Sequence, residues 1–490
     1  MVQSMRSEEA ITRIETQLRQ QHTHFTLTEA AAMTGLAIDD AREALDALLT
    51  RYVCRLQVSE YGDLIYNFGD TLRRRGAKTF AERLQEVGAW LWKAFTVLYK
   101  VWITVTLVVY FIIFLVVLIL VVIAASARQS SDDNRRRPAS SNLAPLLHMF
   151  FAIFRWRTIT GTIDYARDRQ GYRYRHYQPE PSVLNTQKKS VIAAVYDFVF
   201  GPPRVTLDPL QNEQEVAVFL QRNKGIIVTS ELSALAGWTF AQAETFLTDC
   251  VLRYQGDTKI SEHAVLYGQF DTITRGVGEV EEGEIVYYWD EYEPEYELTG
   301  NSARHNLIIV GMNSFNLLFS LLVLSGSVDA LLHEVFNQQF ASTTGSVVSG
   351  SLVTLGLGWI PLIFSGLFFL IPLVRAVKIS ALRRQRHTQN IRKRLFYAIF
   401  ARQGEPQTVA EVVTAVNARA PEDTLAPAVV EEAMQALVLD MPGDMLVSES
   451  AEIQFAFPRI TRELQEVKQL RRQRRVDDTL GEIIVESDNQ

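Results

Sequence analysis

Two hydrophobic patterns alternate along this chain. One is amphipathic, with apolar residues three and four apart followed by a pair of short extended runs. The other is unbroken apolar sequence. The first amphipathic block opens with Glu8–Gln20, which carries Ile11, Ile14 and Leu18 on one face. Leu27–Met33 has helical spacing behind Thr28 as a candidate cap, and Gly35 stands where a helix would end in a left-handed turn. A further helix from Asp39 or Asp40 carries Ala41, Ala44, Leu45, Leu48 and Leu49 on one face. Tyr52–Val58 and Leu64–Phe68 then read as the strands of a hairpin turning at Glu60-Tyr61-Gly62-Asp63.

The chain writes this block three times. Thr28–Phe68 falls on Ser230–Phe270 after a shift of 230 − 28 = 202 positions, matching Glu29 to Glu231, Gly35 to Gly237, Leu45 to Leu247, Tyr52 to Tyr254 and Phe68 to Phe270. A looser third copy spans Thr408–Phe457, with Val447-Ser448-Glu449 in the place of Val58-Ser59-Glu60 and an insertion at Arg419–Thr424. Helix, helix, turn, helix and hairpin is an order that resembles the winged helix-turn-helix superfamily. The resemblance is one of pattern and carries no catalytic motif. It implies a last helix that enters the DNA major groove, but the residues argue against that use. Asp39, Asp40, Glu43 and Asp46 outweigh Arg42 on that helix; the second copy has Glu244 and Asp249 against Arg253, and the third has Glu431 and Glu432. Such a helix would repel the phosphates it must approach. A winged helix kept for protein contact is therefore expected, with nucleic acid as an unlikely partner.

The unbroken pattern marks the membrane. Val101–Ala125 has no charge and is long enough to cross a hydrocarbon core of about 30 Å. Ahead of it, Leu72–Lys100 is basic (Arg73, Arg74, Arg75) and aromatic (Trp90, Trp92, Tyr99), which suits a headgroup belt. Leu307–Leu324 and Leu352–Val374 read as two further spans packing as a hairpin through Asn313, Asn316, Gly356, Gly358 and Pro361. Leu143–Trp156 is too short to span as a helix and reads as interfacial or re-entrant, a second crossing being the alternative. Arg157–Glu180 mixes Arg with Tyr, a composition for lipid headgroups or a linker and, less favoured, for single-stranded RNA. Ser190–Pro203 looks like the entry helix of poorly characterised bacterial membrane proteins that set such a segment before a small winged-helix-like domain.

Charge adds orientation. The loop at Asp329, His333 and Glu334 has no Lys or Arg, whereas Arg375, Lys378, Arg383, Arg384 and Arg386 follow the last span. The positive-inside rule then puts the loop outside and the repeats in the cytoplasm. One crossing separates Arg73–Arg75 from Arg135-Arg136-Arg137, both of which look cytoplasmic; all three repeats inside is the favoured resolution. Val277–Leu298, with Tyr287, Tyr288, Trp289, Asp290, Tyr292 and Tyr296, reads as a solvated acidic linker, or more sharply as a strip that binds a partner or docks on a basic segment. Arg459–Arg475 reads as a charged helix and Val476–Gln490 as a disordered acidic tail.

Composition changes little. Over 490 residues the net charge is −7, and the two cysteines, Cys54 and Cys250, have no metal-ligand spacing. Met1–Arg19 is too charged for a signal peptide. No phosphate-binding, zinc-protease, hydrolase or dinucleotide motif is present, and no enzyme, metal or cofactor is expected.

The expected fold is thus mainly α with small β-hairpins: three winged-helix-like domains joined by transmembrane helices. Its divisions are domain 1 (1–70), a basic juxtamembrane helix (71–100), a span (101–125) and a linker (126–189) holding segment 143–156. Domain 2 with its entry helix (190–272), the acidic linker (273–303), a span (304–325), a loop (326–350), a span (351–375), domain 3 (376–460) and the tail (461–490) follow. The expected role is a membrane-anchored scaffold or adaptor in a bacterial inner membrane, with membrane lipids, unidentified proteins and further copies of the chain as partners. Arg73–Arg75, Arg135–Arg137, Arg383, Arg384 and Arg386 are its candidate headgroup contacts. The alternatives are a membrane-tethered transcription regulator and a small transporter or channel component.

Overall fold

A computed structural model describes residues 7–19, 24–69, 72–75, 80–129, 190–202, 208–275, 285–291, 295–326, 350–421, 423–447, 452–475 and 482–487. Arg135–Arg137, Tyr292, segment 143–156, the Arg–Tyr run and most of the loop at Asp329 lie outside these residues. The fold is mainly helical with small antiparallel sheets.

Unit 1 consists of α1 (Ser7–Arg19), β1 (His24–Thr26), α2 (Leu27–Thr34), α3 (Ile38–Arg51), β2 (Arg55–Ser59) and β3 (Leu64–Asn67). Its second helix is capped two residues earlier than the sequence suggests. Thr26, not Thr28, accepts from the Glu29 amide at 3.2 Å, and Glu29 accepts from the Thr26 amide at 2.7 Å. That reciprocal box satisfies two amides that a helix start leaves orphaned. Gly35 ends the helix at φ 70°, a conformation that costs a side-chain-bearing residue strain.

Unit 2 repeats the order. After α4 (Phe80–Gln129) and the short apolar α5 (Val191–Phe200) come α6 (Gln211–Arg222), β4 (Ile226–Val228), α7 (Thr229–Ala236), α8 (Phe240–Arg253), β5 (Asp257–Ile260) and β6 (Leu266–Gln269). Val228 holds the cap position and has no acceptor, so only half the box survives: Glu231 accepts from the Val228 amide at 3.2 Å.

Unit 3 draws its first helix from the end of a longer, membrane-length one. A helical turn (Gly350–Val353) and a π-helical stretch (Thr354–Trp359) follow α9 (Ala303–Leu324) and lead into α10 (Ile360–Ala401). The first helix of unit 3 is therefore the end of α10, whose other end is membrane-length apolar sequence. β7 (Gln407–Thr408), α11 (Val409–Arg419), α12 (Pro427–Asp440), β8 (Asp444–Val447) and β9 (Ile453–Ala456) complete the unit, and α13 (Pro458–Gln473) follows. The full capping box returns at Thr408 and Glu411.

The three sheets share one strand order, β1-β3-β2, β4-β6-β5 and β7-β9-β8. The first strand of each, only two or three residues long, is missing from the sequence reading because so short a run shows no period. A fourth strand, β10 (Ile483–Glu486), joins the outer edge of β2. The tail read as disordered thus contains a strand: Ile483, Ile484 and Val485 are strong β-formers, and β2 offers an open edge.

Among the described residues three helices are long and apolar enough to cross a membrane: Val87–Leu120 within α4, α9, and the stretch leading through α10. Their buried residues fall in stripes three and four apart. On the last helix these are Gly358, Pro361, Ser365, Phe368 and Pro372. Leu324 packs on Gly358, where a Cβ would meet it at 2.7 Å, but Gly356 faces open space and is not the packing contact expected of it. Inside the bundle Asn313 donates to the Ser365 carbonyl and Asn316 to the Leu107 carbonyl, each at 3.1 Å. The Asn313 Oδ1, Asn316 Oδ1 and Ser365 Oγ atoms have no partner. The pair therefore clips α9 to both neighbours, as interhelical amides do.

α5 lies across one end of this bundle. Lys100 sits 4.6 Å from the Tyr196 ring, Asn301 donates to the Ala194 carbonyl at 2.8 Å, and Arg375 donates to the Val199 carbonyl at 3.5 Å. Gln129 is 129 − 100 = 29 residues beyond Lys100, about 44 Å along the helix. The end of α4 and the start of α5 therefore lie at opposite ends of the stem.

Both cysteines are buried. Burial pushes the Cys54 thiol up to about 11 and the Cys250 thiol well above its ordinary value. Neither is a thiolate at neutral pH, so maleimide should label the folded chain at pH 7.5 at least tenfold more slowly than the chain in urea. Mass spectrometry of the labelled protein measures this.

Candidate docking interface of the units on the membrane stem

Over its described residues, 285–291 and 295–298, the acidic aromatic strip is not a solvated linker. It lies antiparallel along the basic face of α10, so the self-docking alternative describes it. At the stem end, Arg375 donates to the Leu298 carbonyl at 2.9 Å. Next along, Arg383 donates to the Tyr296 carbonyl at 2.8 Å and Arg386 pairs with Glu295 at 3.5 Å. Further out, Lys393 pairs with Glu291 at 3.4 Å, both side chains under a tenth exposed. Arg419 of α11 then holds Asp290.

Aromatic packing fixes the far end. Tyr288 is 6% exposed and meets Phe396 edge to face at 5.2 Å. Trp289 stacks on Phe400 at 5.4 Å, and Tyr287 stacks on Trp289. The Tyr288 ring also fills the space above Gly237, where a Cβ would lie 2.6 Å from it. Gly237 therefore serves both its φ of 69° and this close approach. These contacts revise two expectations: Tyr288 is committed within the chain, and Arg383 and Arg386 face the strip. Arg384 remains exposed. Near unit 1, Arg74 lies 6.0 Å from the Tyr52 ring, while Arg73 and Arg75 are exposed.

Unit 1 packs on unit 2 through α2 and α6. Leu210 enters the core of unit 1, and Ala32 that of unit 2. Arg253 donates to the Gly35 carbonyl at 2.9 Å while bonding Asp249 at 3.2 Å. Gln214 reaches the Thr34 carbonyl at 3.2 Å, and Arg13 pairs with Asp208 at 2.8 Å.

Unit 2 is clamped to unit 3 by α13. Arg471 donates to both Glu231 oxygens and to the Ile226 carbonyl, each at 2.7 Å. Arg459 bonds Glu244 at 2.6 Å and Glu463 at 2.7 Å, and its guanidinium lies 4.2 Å from the Phe240 ring. Glu463 in turn accepts from the buried Ser230 amide at 2.7 Å. Arg474 holds Asp271, and Val467 packs with Ile226, Val228 and Val265. Burial raises the Glu231 carboxyl above its ordinary value, and Arg471 opposes that rise. Glu231 is thus the surviving half of a cap box turned to a second use. Its match with Glu29 was visible in the repeat; its partner, 471 − 231 = 240 residues away, was not.

A cleft of about 660 Å³ opens where unit 2, α10 and unit 3 meet, lined by Trp238, Thr239, Gln242, Gln389, Arg392 and Asp440 among others. Arg392 crosses it to Asp440 and to the Gly237 carbonyl. Among the described residues no cluster of His, Cys, Asp or Glu could hold a metal. What the interface can do chemically is join: it presents complementary charges and buried rings between units. Comparison with family models, with curated proteins and with solved structures returned no match.

Proposed function

We propose that the chain is a membrane-anchored scaffold whose three winged-helix-like units form one platform on the cytoplasmic side of a bacterial inner membrane. The observation that carries this reading is the continuity of α10: one helix serves as membrane-length stem, as the bed for the acidic strip and as the core helix of unit 3. A platform rooted this way holds its outer faces at a fixed height above the bilayer.

Orientation follows from charge. Lys100, Arg304, Arg375 and Lys378 gather at the end of the bundle that faces the units, which the positive-inside rule assigns to the cytoplasm. Among the described candidates, exposed Arg73, Arg75 and Arg384 are the cations left for anionic headgroups. Protein partners, further copies of the chain among them, would meet the exposed faces of α3, α8 and α12. Those faces support protein contact over duplex binding. Asp39, Glu43 and Asp46 project from α3, Glu432 projects from α12, and the one base at the end of α8, Arg253, is spent on Gly35.

Binding assays on the full chain in lipid nanodiscs test this. The scaffold reading expects no salt-sensitive retention of duplex DNA at low salt. It also expects that charge reversal at Glu43, Asp46 and Glu432 strips proteins crosslinked to the wild type in membranes. Duplex binding whose affinity falls steeply with salt would reject it.

A further inference from the structure

The fourth strand of unit 1 is held differently from the three it joins. β10 pairs antiparallel with β2, setting Ile483 opposite Ser59, Val485 opposite Val58 and Glu486 opposite Gln57. Ile483, Ile484 and Val485 are 52%, 63% and 56% exposed, so little apolar burial secures the strand. Its grip is backbone and polar. Glu60 donates to the Glu482 carbonyl and Ser487 to the Leu56 carbonyl, each at 2.9 Å, while Ser487 Oγ accepts from the Leu56 amide. Glu486 meets Gln57 at 3.1 Å and Arg55 at 3.7 Å.

The other two units have the same outer edge, on β5 and β8, and no described strand pairs with it. Neither has a cation in the place of Arg55, although β5 carries Lys259 in the place of Gln57. The residue in the place of Arg55 opens its strand opposite the end of the neighbouring strand: Arg55 faces Asn67, Asp257 faces Gln269 and Asp444 faces Ala456. At the position that opens the strand, two of the three edges thus carry a carboxylate that repels an acidic side chain, and one carries a guanidinium that attracts it. A row of free amides and carbonyls with one selective charge is how sheet edges recognise extended peptides.

We propose that the β2 edge of unit 1 is a peptide-binding site for extended segments of β-branched residues ending in an acidic side chain, and that β10 is its tethered competitor. The occupant is a partner segment of the kind Ile-Ile-Val-Glu. It pairs with β2 when β10 lifts away, and its carboxylate takes the place of Glu486 on Arg55 and Gln57. The site depends on the edge alone and would operate whether or not the platform is a scaffold.

A fluorescent peptide with the sequence of residues 481–490, added to the chain in detergent, tests this. The chain ending at Arg475 should bind it, and the full chain at least tenfold more weakly, because a tethered strand competes at millimolar effective concentration. Full-length Glu486→Arg, with its own strand loosened, should fall between. Arg55→Glu in the shortened chain should weaken binding severalfold. Val58→Pro removes an amide that the ladder's alternation turns toward β10, leaves the bonds to β3, and should abolish binding. No binding to the shortened chain overturns the proposal, as does binding indifferent to Arg55→Glu and Val58→Pro. Equal binding to full and shortened chains overturns the competitor role.

Discussion

Arg471→Ala is expected to cost about 3–5 kcal/mol, the usual price of removing one partner from a buried ion pair. Glu231 would keep its place at the start of α7 with only the Val228 amide left as a donor. The variant should therefore lose the seat of α13 on unit 2. Hydrogen exchange in Ile226–Ala236 and Pro458–Gln473 should rise together, while exchange in α1 and α3 stays unchanged. Glu231→Gln in the same chain should recover most of the loss, because no buried charge then remains. The pH dependence has a definite sign. The native Glu231 carboxyl holds its proton more tightly than the unfolded one, whose ordinary value is 4.5. Lowering the pH toward that value thus favours the folded state, and the deficit of Arg471→Ala should shrink. Chemical denaturation in detergent from pH 8 down to 5 measures it. A deficit that grows on acidification would assign the stabilisation to other groups.

Tyr288→Ala is expected to cost a similar amount, about 3–5 kcal/mol for truncating a buried aromatic side chain. Its ring joins Gly237 of unit 2 to α10, where it meets the Phe396 ring and lies 5.3 Å from the Lys393 ammonium. With it gone, the strip should peel from α10, starting at Asp290 and ending near Leu298, where Arg375 still holds it. Limited proteolysis should then cut within residues 285–291 or 295–298 much faster than in the wild type. Tyr287→Ala, at a ring 36% exposed, is the matched control and should leave the strip in place.

Much of this was legible beforehand because repetition is a strong signal. The matches of Gly35 with Gly237 and Glu29 with Glu231 mark a left-handed helix end and a helix start in both copies, and the structure has them there. The apolar runs were legible because hydrocarbon demands length and purity together. What stayed hidden was tertiary. The pairings of Arg471 with Glu231 and of Lys393 with Glu291 link residues that composition reads only as charge. Acidic and basic stretches are identical in sequence whether solvated or zipped together; the difference lies in Tyr288 and Trp289, whose rings give the acidic strip something to bury. The short first strands escaped because two or three residues carry no period, and β10 because an acidic tail masked three β-formers. Val228 shows the reverse hazard: at an equivalent position the cap residue has changed, and the helix start is kept by Glu231 on the Val228 amide and Glu463 on the Ser230 amide.

The central claim is that three copies of one unit assemble into a single body at one end of the membrane stem. Sided labelling tests it most directly, since the native cysteines are buried and give a low background. Single cysteines at exposed Glu43, Thr248 and Glu432 report the three units, and one at Ser325 reports the far end of α9. In sealed vesicles of known orientation, an impermeant maleimide should reach the first three from one face and Ser325→Cys from the other. Labelling of Glu43→Cys from the opposite face to Thr248→Cys would separate unit 1 from unit 2 across the bilayer and contradict the account.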